Sequence, residues 1–352
     1  MKKQINFLAV LSAAAMMALA GSGSVLAQEK AGWVEEMAGE WKYYDTDGYM
    51  LTDSWKKQGN DWYYLDDDGN LAFNRQVDEY YVDETGKRVS NAWLSVENEE
   101  WGSDGPDTYW FYYGKNGKMV TEKWMSIDGN WYYFDSEGHM MTGMEEIGDG
   151  TYYFGEDGAR KYGWFYLPET DESLDREFSW FYFDKNGRML VNEVDKKIDG
   201  SYYTFADGRM QTGWVLTDGE EAKEDSVAGY QYYNEDGKRA SGWMTIVGAD
   251  GVAGEDEEFS FFFKNGKPHY AENGIQIFSV NSKKYGFNTR GEMQTGLQVV
   301  EREDGISGNY YFGEDGIMRT GKQVIEDEDT GERQNWYFET DGAGKGRGYH
   351  GI

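Results

Sequence analysis

Residues 123–143 read KWMSIDGNWYYFDSEGHMMTG and contain the pattern that decides the fold. The short segment Trp124–Ile127 is followed by Asp128-Gly129, a residue pair typical of a two-residue type I′ hairpin turn. The segment Trp131–Phe134 is entirely aromatic, and alternate side chains of a strand point to opposite faces. The stretch therefore predicts a β-hairpin that carries aromatic rings on both faces.

The same pattern recurs along most of the chain. Spacings between successive turn glycines range from 17 residues (Gly69 to Gly86) to 31 residues (Gly86 to Gly117). A lone two-stranded hairpin is marginally stable in water, whereas stacked copies bury one another's rings. We therefore predict an all-β solenoid, a superhelix of stacked aromatic β-hairpin repeats. The glycines that set the phase are Gly48, Gly69, Gly86, Gly117, Gly138, Gly158, Gly187, Gly208, Gly237, Gly266, Gly291, Gly316 and Gly342.

The longer repeats carry polar insertions between their two strands, for example over 97–108 and 168–177. Loop-closure entropy grows slowly with length, so such tips are tolerated. The acidic runs 66–69 and 254–258 could suggest Ca²⁺, but neither has the spacing of an EF-hand loop. We expect solvated loops and no metal site.

The amino-terminal segment has the features of a secretory signal peptide. Lys2 and Lys3 precede an apolar run from Phe7 to Ala20, and a small-residue end closes at Ala27. A membrane anchor is the alternative, but the run is short for a bilayer span of about 20 residues. We predict a signal peptide over 1–27 and tandem repeats over 28–352, without a separate catalytic domain.

Composition excludes several partner classes. The formal net charge is −31, which argues against nucleic acid because phosphate binding requires concentrated Lys and Arg. The later chain has no apolar run long enough for a transmembrane helix, so an integral membrane protein is not expected. Aromatic residues make up 17% of the sequence, which favours a folded protein over a disordered acidic chain.

These residues resemble the cell-wall-binding repeats of Firmicute surface proteins, a family that includes choline-binding and glucan-binding modules and the related repeats of clostridial toxins. The matching motif runs from Gly-Trp through Trp-Tyr-Tyr-Phe and an acidic turn to Met-x-Thr-Gly, and it stands at 123–143, 150–164, 201–214 and 285–296. The resemblance implies a left-handed superhelix with ligand sites between successive hairpins. It implies no cofactor.

In choline-binding members, each cage contains two Trp residues of one repeat and a Tyr of the next. Carried over, the resemblance implies cages at Trp33, Trp41 and Tyr64, at Trp55, Trp62 and Tyr81, and at Trp124, Trp131 and Tyr153. Two longer repeats offer Trp93 with Trp110 and Trp164 with Trp180, whereas the sites at Trp214 and Trp243 look incomplete.

The residue types leave the ligand class open. Rings can enclose a quaternary ammonium group through cation–π attraction, or stack on flat sugar faces, or bury each other as core. Met119, Met140, Met189, Met210 and Met293 recur two residues after a turn glycine and are expected to fill gaps between hairpins.

The function predicted is non-catalytic binding to choline-decorated teichoic acid or to a glucan or other cell-wall polysaccharide, by a secreted, extracellular, cell-wall-associated protein. Many weak sites on one chain would produce avidity. The sequence has no Cys and no Gly-x-Ser-x-Gly elbow, so enzymatic activity is not expected. Two alternatives remain: a spacer or adhesin with few working sites, or the remnant of a wall hydrolase or toxin. The second alternative is motivated by the last hairpin, which is expected to be uncapped.

Overall fold

The computed structural model describes residues 31–98, 105–217, 222–249, 257–302, 307–327 and 330–351. The predicted signal peptide over 1–27 and most of the acidic run 254–258 lie outside these ranges. Within them, β-strands are the only regular elements of the chain. The strands form two compact units, one ending at Lys161 and the other beginning at Tyr162.

The first unit contains six antiparallel hairpins, each made of two consecutive strands. Its strands are β1 (Gly32–Met37), β2 (Glu40–Tyr44), β3 (Ser54–Gln58), β4 (Asp61–Leu65), β5 (Arg75–Val77), β6 (Tyr80–Val82), β7 (Ala92–Glu97), β8 (Thr108–Tyr113), β9 (Lys123–Ile127), β10 (Asn130–Phe134), β11 (Gly143–Ile147) and β12 (Gly150–Phe154).

The second unit repeats the hairpin and adds three short strands, β17, β22 and β29, that extend neighbouring hairpins. Its strands are β13 (Gly163–Pro168), β14 (Phe178–Phe183), β15 (Glu193–Ile198), β16 (Ser201–Ala206), β17 (Arg209–Met210), β18 (Gly213–Leu216), β19 (Tyr230–Tyr233), β20 (Gly242–Val247), β21 (Glu258–Lys264), β22 (Lys267–Pro268), β23 (Ile275–Val280), β24 (Lys283–Asn288), β25 (Gly296–Val300), β26 (Gly308–Phe312), β27 (Gly321–Glu326), β28 (Arg333–Phe338) and β29 (Gly348–His350).

The hairpin predicted from the opening stretch is confirmed. Strands β9 and β10 pair with Ile127 opposite Asn130, which leaves Asp128 and Gly129 as a two-residue turn. Both turn residues have positive φ, 49° at Asp128 and 86° at Gly129, as a type I′ turn requires. The predicted all-β array of hairpin repeats is likewise confirmed within each unit.

Within a unit, hairpins are attached to the preceding one by the segment that follows the second strand. After β10, Met140 forms a bridge with Phe134 of its own hairpin and donates its amide to the carbonyl of Trp110, in the preceding hairpin, at 2.8 Å. The amide of Arg160, after β12, bonds the carbonyl of Trp131 in the same way at 2.8 Å. We call this residue, two positions after the turn glycine, the connector residue.

Connector methionines fill the space between hairpins, as predicted. A Cβ added at Gly138 would lie 2.8 Å from the Met119 sulfur, so only glycine leaves room for the methionine there. The same arrangement places Met140 on Gly158, Met189 on Gly208, Met210 on Gly237 and Met293 on Gly316.

In several repeat turns an acidic residue caps backbone amides. Oδ1 of Asp135 accepts hydrogen bonds from the amides of Glu137 at 2.9 Å and His139 at 2.8 Å. Asp66 makes the same contacts with the amides of Asp68 and Asn70. In the described ranges no group of three or more Asp, Glu or His side chains is placed to hold a metal ion.

The core is divided into several small clusters of buried residues. Phe134, Phe154, Phe183 and Phe205, which close aromatic strands, are at most 2% exposed. The expectation of an uncapped last hairpin is wrong, because β29 pairs with both β28 and β26. Searched across its described residues, the chain has no helix with the length and apolar character of a membrane span.

Candidate ligand sites between hairpins

The Trp of a first strand packs between its own hairpin and the next one. Trp124 on β9 lies 5.3 Å from the ring of Tyr133, its cross-strand partner on β10. Its other side meets the next hairpin, where Tyr152 is 4.8 Å away and Phe154 is 5.6 Å away, measured between ring centroids. The predicted contact between a repeat's Trp and an aromatic residue of the following repeat is therefore present.

The tyrosines expected as third walls do not contact the expected Trp residues, each of which meets the Tyr one position earlier in the chain. Trp33 meets Tyr63 at 5.4 Å instead of Tyr64, and Trp55 meets Tyr80 at 5.2 Å instead of Tyr81. Trp124 meets Tyr152, while Tyr153 is the cross-strand partner of Met144 in its own hairpin. The reason is strand alternation, which turns neighbouring tyrosines to opposite faces.

The displaced tyrosines have other structural contacts. The ring of Tyr64 packs on Trp55 of its own hairpin, and its hydroxyl donates a hydrogen bond to Asp53. That bond holds the proton and raises the pKa of Tyr64 to about 12. The hydroxyl of Tyr81 donates to the side-chain oxygen of Asn74 at 2.6 Å.

The Trp93 site consists of Trp93, Trp110, Tyr132 and the connector residue Met140. The two indoles are 6.5 Å apart and nearly perpendicular, at 79°, while Tyr132 lies 5.0 Å from Trp93. Trp110 is 39% exposed. Two perpendicular indoles and a third ring form a corner, open to solvent at Trp110, in which several ring faces can contact one compact cation.

The Trp164 site repeats this geometry in the second unit with Trp164, Trp180, Tyr203 and the connector residue Met210. The indoles are 6.4 Å apart at 84°, and Tyr203 lies 4.8 Å from Trp164. Trp180 is 43% exposed, whereas Met210 is buried in the cluster beside Trp164.

Arg209 precedes Met210 at the Trp164 site, but its guanidinium is held elsewhere. Nε and Nη2 of Arg209 donate to both carboxylate oxygens of Glu169 at 2.8 to 3.0 Å. This bidentate pairing lowers the pKa of Glu169.

At the Trp33 site the predicted second indole is buried. Trp41 is 9% exposed and packs in a cluster with Tyr63, Leu65 and Leu71, against which Trp33 lies. The connector residue there is Leu71, whose amide bonds the carbonyl of Trp41 at 2.8 Å. Trp41 is thus a core residue with little surface for a ligand.

The Trp55 and Trp124 sites contain an arginine. At the Trp55 site, defined by Trp55, Trp62, Tyr80 and the connector residue Arg88, the guanidinium carbon lies 5.9, 5.3 and 5.2 Å from the three ring centroids.

At the Trp124 site, defined by Trp124, Trp131, Tyr152 and the connector residue Arg160, the guanidinium carbon lies 5.4 Å from Trp124 and 5.8 Å from Trp131. Sequence reasoning missed these arginines as site residues. The available signal was their position, since Arg88 and Arg160 stand two residues after a turn glycine, where most repeats have Met.

The later sites differ from the Trp-pair pattern, as predicted. Trp214 packs on Phe261 and Phe263 of the next hairpin, and Tyr230 stands 6.4 Å away where other sites have a second indole. Trp243 is 39% exposed and meets Tyr285 at 4.7 Å.

A cleft of about 450 Å³ elsewhere in this unit is lined by Tyr202, Arg239 and Met244 among others. None of its lining residues belongs to a Trp pair, so the cleft is not one of the candidate ligand sites, which are defined by the arrangement of aromatic rings.

Two repeat-family models match parts of the sequence. The model of the choline-binding repeat matches residues 106–143 and 121–158, and that of a putative cell wall binding repeat matches 53–71 and 179–189. These segments contain both indoles of the Trp55 and Trp124 sites. No curated protein sequence is significantly similar to the chain.

Several solved structures are similar to the chain at low identity. The modular autolysin LytC from Streptococcus pneumoniae is 21% identical over 75% of this chain and 52% of its own, with a TM-score of 0.47. Choline binding protein F from the same organism is 19% identical over 82% of this chain and 98% of its own, with a TM-score of 0.46. The choline-binding domain of CbpL, also pneumococcal, is 24% identical over 60% of this chain and 98% of its own, with a TM-score of 0.42. The chain matches about half the length of the autolysin.

Proposed function

This chain belongs to the cell-wall-binding repeat family, with repeats of the choline-binding type, and from that premise we propose that it binds choline-bearing teichoic acid in a bacterial cell wall. The observation that carries the proposal is the pair of Met-lined sites, the Trp93 and Trp164 sites. Both place two perpendicular indoles and a Tyr ring around one partly exposed corner.

The chemistry of these corners suits a quaternary ammonium group. Each ring face contributes about 0.5–2 kcal/mol of cation–π attraction, depending on how far the site is desolvated. A net charge of −31 adds a long-range attraction for cations. Two sites on one chain raise the avidity for a polymer that bears many choline groups.

A wall-binding assay tests the proposal. Protein incubated with isolated choline-bearing wall should sediment with it, and excess free choline should release it. Trp110→Ala combined with Trp180→Ala should strongly reduce sedimentation, because each removes an exposed wall of one Met-lined site. Trp243→Ala removes an indole that is equally exposed but has Ser260 at the position of the second indole, and it should leave sedimentation unchanged. Binding that free choline does not compete, or a double variant that sediments like the wild type, would contradict choline binding at the Met-lined sites.

We further propose that the protein is exported by its signal peptide and acts without catalysis at the cell surface. Supporting this, every described strand belongs to a repeat hairpin or extends one. Incubation with purified wall should release no soluble sugar above a buffer control, whereas sustained release would identify a wall hydrolase. Signal-peptide cleavage should leave Gln28 as the new amino terminus, which terminal sequencing of the exported protein checks.

A second candidate ligand, a saccharide chain, is favoured by a row of exposed rings on hairpin β13–β14. Tyr166 stacks on Phe178 at 5.3 Å and on Trp180 at 5.1 Å, and the three rings are 55%, 40% and 43% exposed. Flat aromatic rows can stack on sugar faces. Tyr166→Ala should weaken binding to a wall polysaccharide and leave choline binding unchanged, while the reverse outcome would remove the saccharide proposal.

A further inference from the structure

The connector residue is the main chemical difference between the Trp-pair sites. It is Met in the Trp93 and Trp164 sites and Arg in the Trp55 and Trp124 sites. Both residue types have the same backbone position, shown by the amide bonds of Met140 to Trp110 and of Arg160 to Trp131. The side chain alone therefore determines whether a cation is built into the site.

Arg88 is enclosed in the way expected for a bound cation. Its guanidinium carbon lies within 6 Å of the Trp55, Trp62 and Tyr80 centroids, the range of cation–π attraction. Its Nε is buried and has no hydrogen-bond partner in the described part of the chain. Burial of such a donor is costly unless the surrounding ring faces compensate. These rings therefore serve as the main partner of the Arg88 cation.

A third connector arginine lies at a site without an indole pair. Arg239 is also a connector residue, but it is paired with Asp195 at 2.7 Å and stacks on a single ring, Tyr202, at 4.1 Å. In the described ranges no Lys or Arg lies over Trp93, Trp110, Trp164 or Trp180. Occupation of an indole pair by a guanidinium is thus restricted to the two sites with a connector arginine.

We propose that Arg88 and Arg160 are internal ligands that close the Trp55 and Trp124 sites to external quaternary ammonium groups, leaving the Trp93 and Trp164 sites to bind choline. This inference rests on the proposed function, because choline is the ligand that the two arginines exclude. A tethered cation competes at an effective concentration on the order of millimolar or higher, and a choline group would have to displace it. The connector residue is therefore a specificity-determining residue of each site.

Site-resolved ¹⁹F NMR tests this inference on the full-length protein labelled with 5-fluorotryptophan, which reports all 14 Trp residues separately. In the wild type, choline chloride should shift the signals of Trp93, Trp110, Trp164 and Trp180 and leave those of the Arg-filled sites in place. In Arg160→Met, the signals of Trp124 and Trp131 should begin to shift. Arg88→Met should do the same for Trp55 and Trp62.

The matched control is Arg239→Met, which changes a connector arginine that has no indole pair and should add no responding signal. Methionine is the residue of most repeats at this position, so Arg88→Met and Arg160→Met should remain folded. Arg239→Met also loses the ion pair with Asp195, so its fold is checked by its melting temperature before the titration. If Arg160→Met remains folded and Trp124 and Trp131 stay silent while Trp93 and Trp110 respond, the inference is overturned.

A ligand-independent measurement separates this inference from the proposed function. The Nε–Hε proton signals of Arg88 and Arg160 should be shifted upfield by ring currents relative to that of the exposed Arg75. If no Trp responds to choline in any variant, choline binding fails and this measurement decides the inference. Arg88 and Arg160 signals at the Arg75 position would overturn it whatever choline does.

Discussion

The Trp93 and Trp124 sites are consecutive in the first unit and differ mainly in one side chain. Each packs a first-strand Trp on a Tyr and a Phe of the next hairpin, at 5.0 and 5.7 Å for Trp93 and at 4.8 and 5.6 Å for Trp124. The connector residue is Met140 in the first site and Arg160 in the second. The comparison shows that the same scaffold holds either a methionine or a guanidinium at the connector position beside a pair of indoles.

The indoles respond to that difference. Trp93 and Trp110 contact each other edge to face at 6.5 Å, whereas the guanidinium of Arg160 lies over both Trp124 and Trp131. Trp110 and Trp131 are nevertheless about equally exposed, at 39% and 44%. Exposure of the second indole therefore does not distinguish the two sites, whereas the connector residue does.

The largest expected effect comes from Met140→Arg. The new guanidinium should enter the Trp93 site, as Arg160 does in the next repeat, and choline should no longer shift the Trp93 and Trp110 signals. The ¹⁹F titration measures this loss, and Met119→Arg, at a connector position whose amide bonds the carbonyl of Glu79 instead of a Trp, is the control. An unchanged choline response in a folded Met140→Arg protein would show that the connector residue does not determine whether a site binds choline.

The next largest effect distinguishes the exposed indole of Trp110 from that of Trp131. Trp110→Ala should weaken choline binding at the Trp93 site about 2- to 30-fold, which corresponds to the loss of about 0.5–2 kcal/mol of cation–π attraction. Trp131→Ala should leave total choline binding unchanged, because Arg160 already occupies its site. Equal losses in the two variants, measured by calorimetric titration, would contradict the contrast between them.

A smaller effect on binding is expected from Gly158→Ala, which acts through Met140. A Cβ at this position would collide with the Met140 sulfur, and the residue has a φ of 69°, so overpacking and backbone strain should together cost about 1–3 kcal/mol. Choline binding at the Trp93 site should weaken as Met140 shifts.

Gly129→Ala is the matched control, since Gly129 also has positive φ, at 86°, but nothing lies within 4 Å of an added Cβ. It should lower the free energy of unfolding in urea without changing choline binding. Similar losses of choline binding in the two variants would contradict the role assigned to Met140.

The smallest effect on binding is expected at the Trp164 site from Glu169→Gln. Arg209 stands one position before the connector residue, and strand alternation points its side chain away from Met210, so choline binding should be retained. Stability should fall at neutral pH by about 1.5–3 kcal/mol, the range for hydrogen bonds to charged groups.

The stability difference between Glu169→Gln and the wild type should depend on pH. Because Arg209 lowers the folded pKa of Glu169, the pairing stabilises the fold above the unfolded pKa and is lost as pH falls through the folded pKa. Urea unfolding at neutral and strongly acidic pH checks this, and a difference that persists in acid would contradict the ion-pair explanation.

Much of the fold could be predicted from the sequence because its signals are local. Asp128-Gly129 specifies a turn with two positive φ angles, and the turn glycines give the phase of the array. The Trp pairs at 93 and 110 and at 164 and 180 were also predictable, and both pairs meet despite their inserted tips.

The remaining details depend on contacts between repeats. The third walls were misassigned by one residue because Tyr63 and Tyr64 differ only in the face they occupy, which is decided by register. The burial of Trp41 follows from Leu65 and Leu71 in the next repeat. The arginines at 88 and 160 were missed because their partners lie in an earlier hairpin, at a separation that local patterns do not report.

The most direct test exchanges the connector residues of the two neighbouring sites in one protein, Met140→Arg together with Arg160→Met, and follows the indole signals by ¹⁹F NMR during a choline titration. The account predicts that the response moves from Trp93 and Trp110 to Trp124 and Trp131. A response that stays at Trp93 and Trp110, in a protein with the wild-type melting temperature, would contradict it.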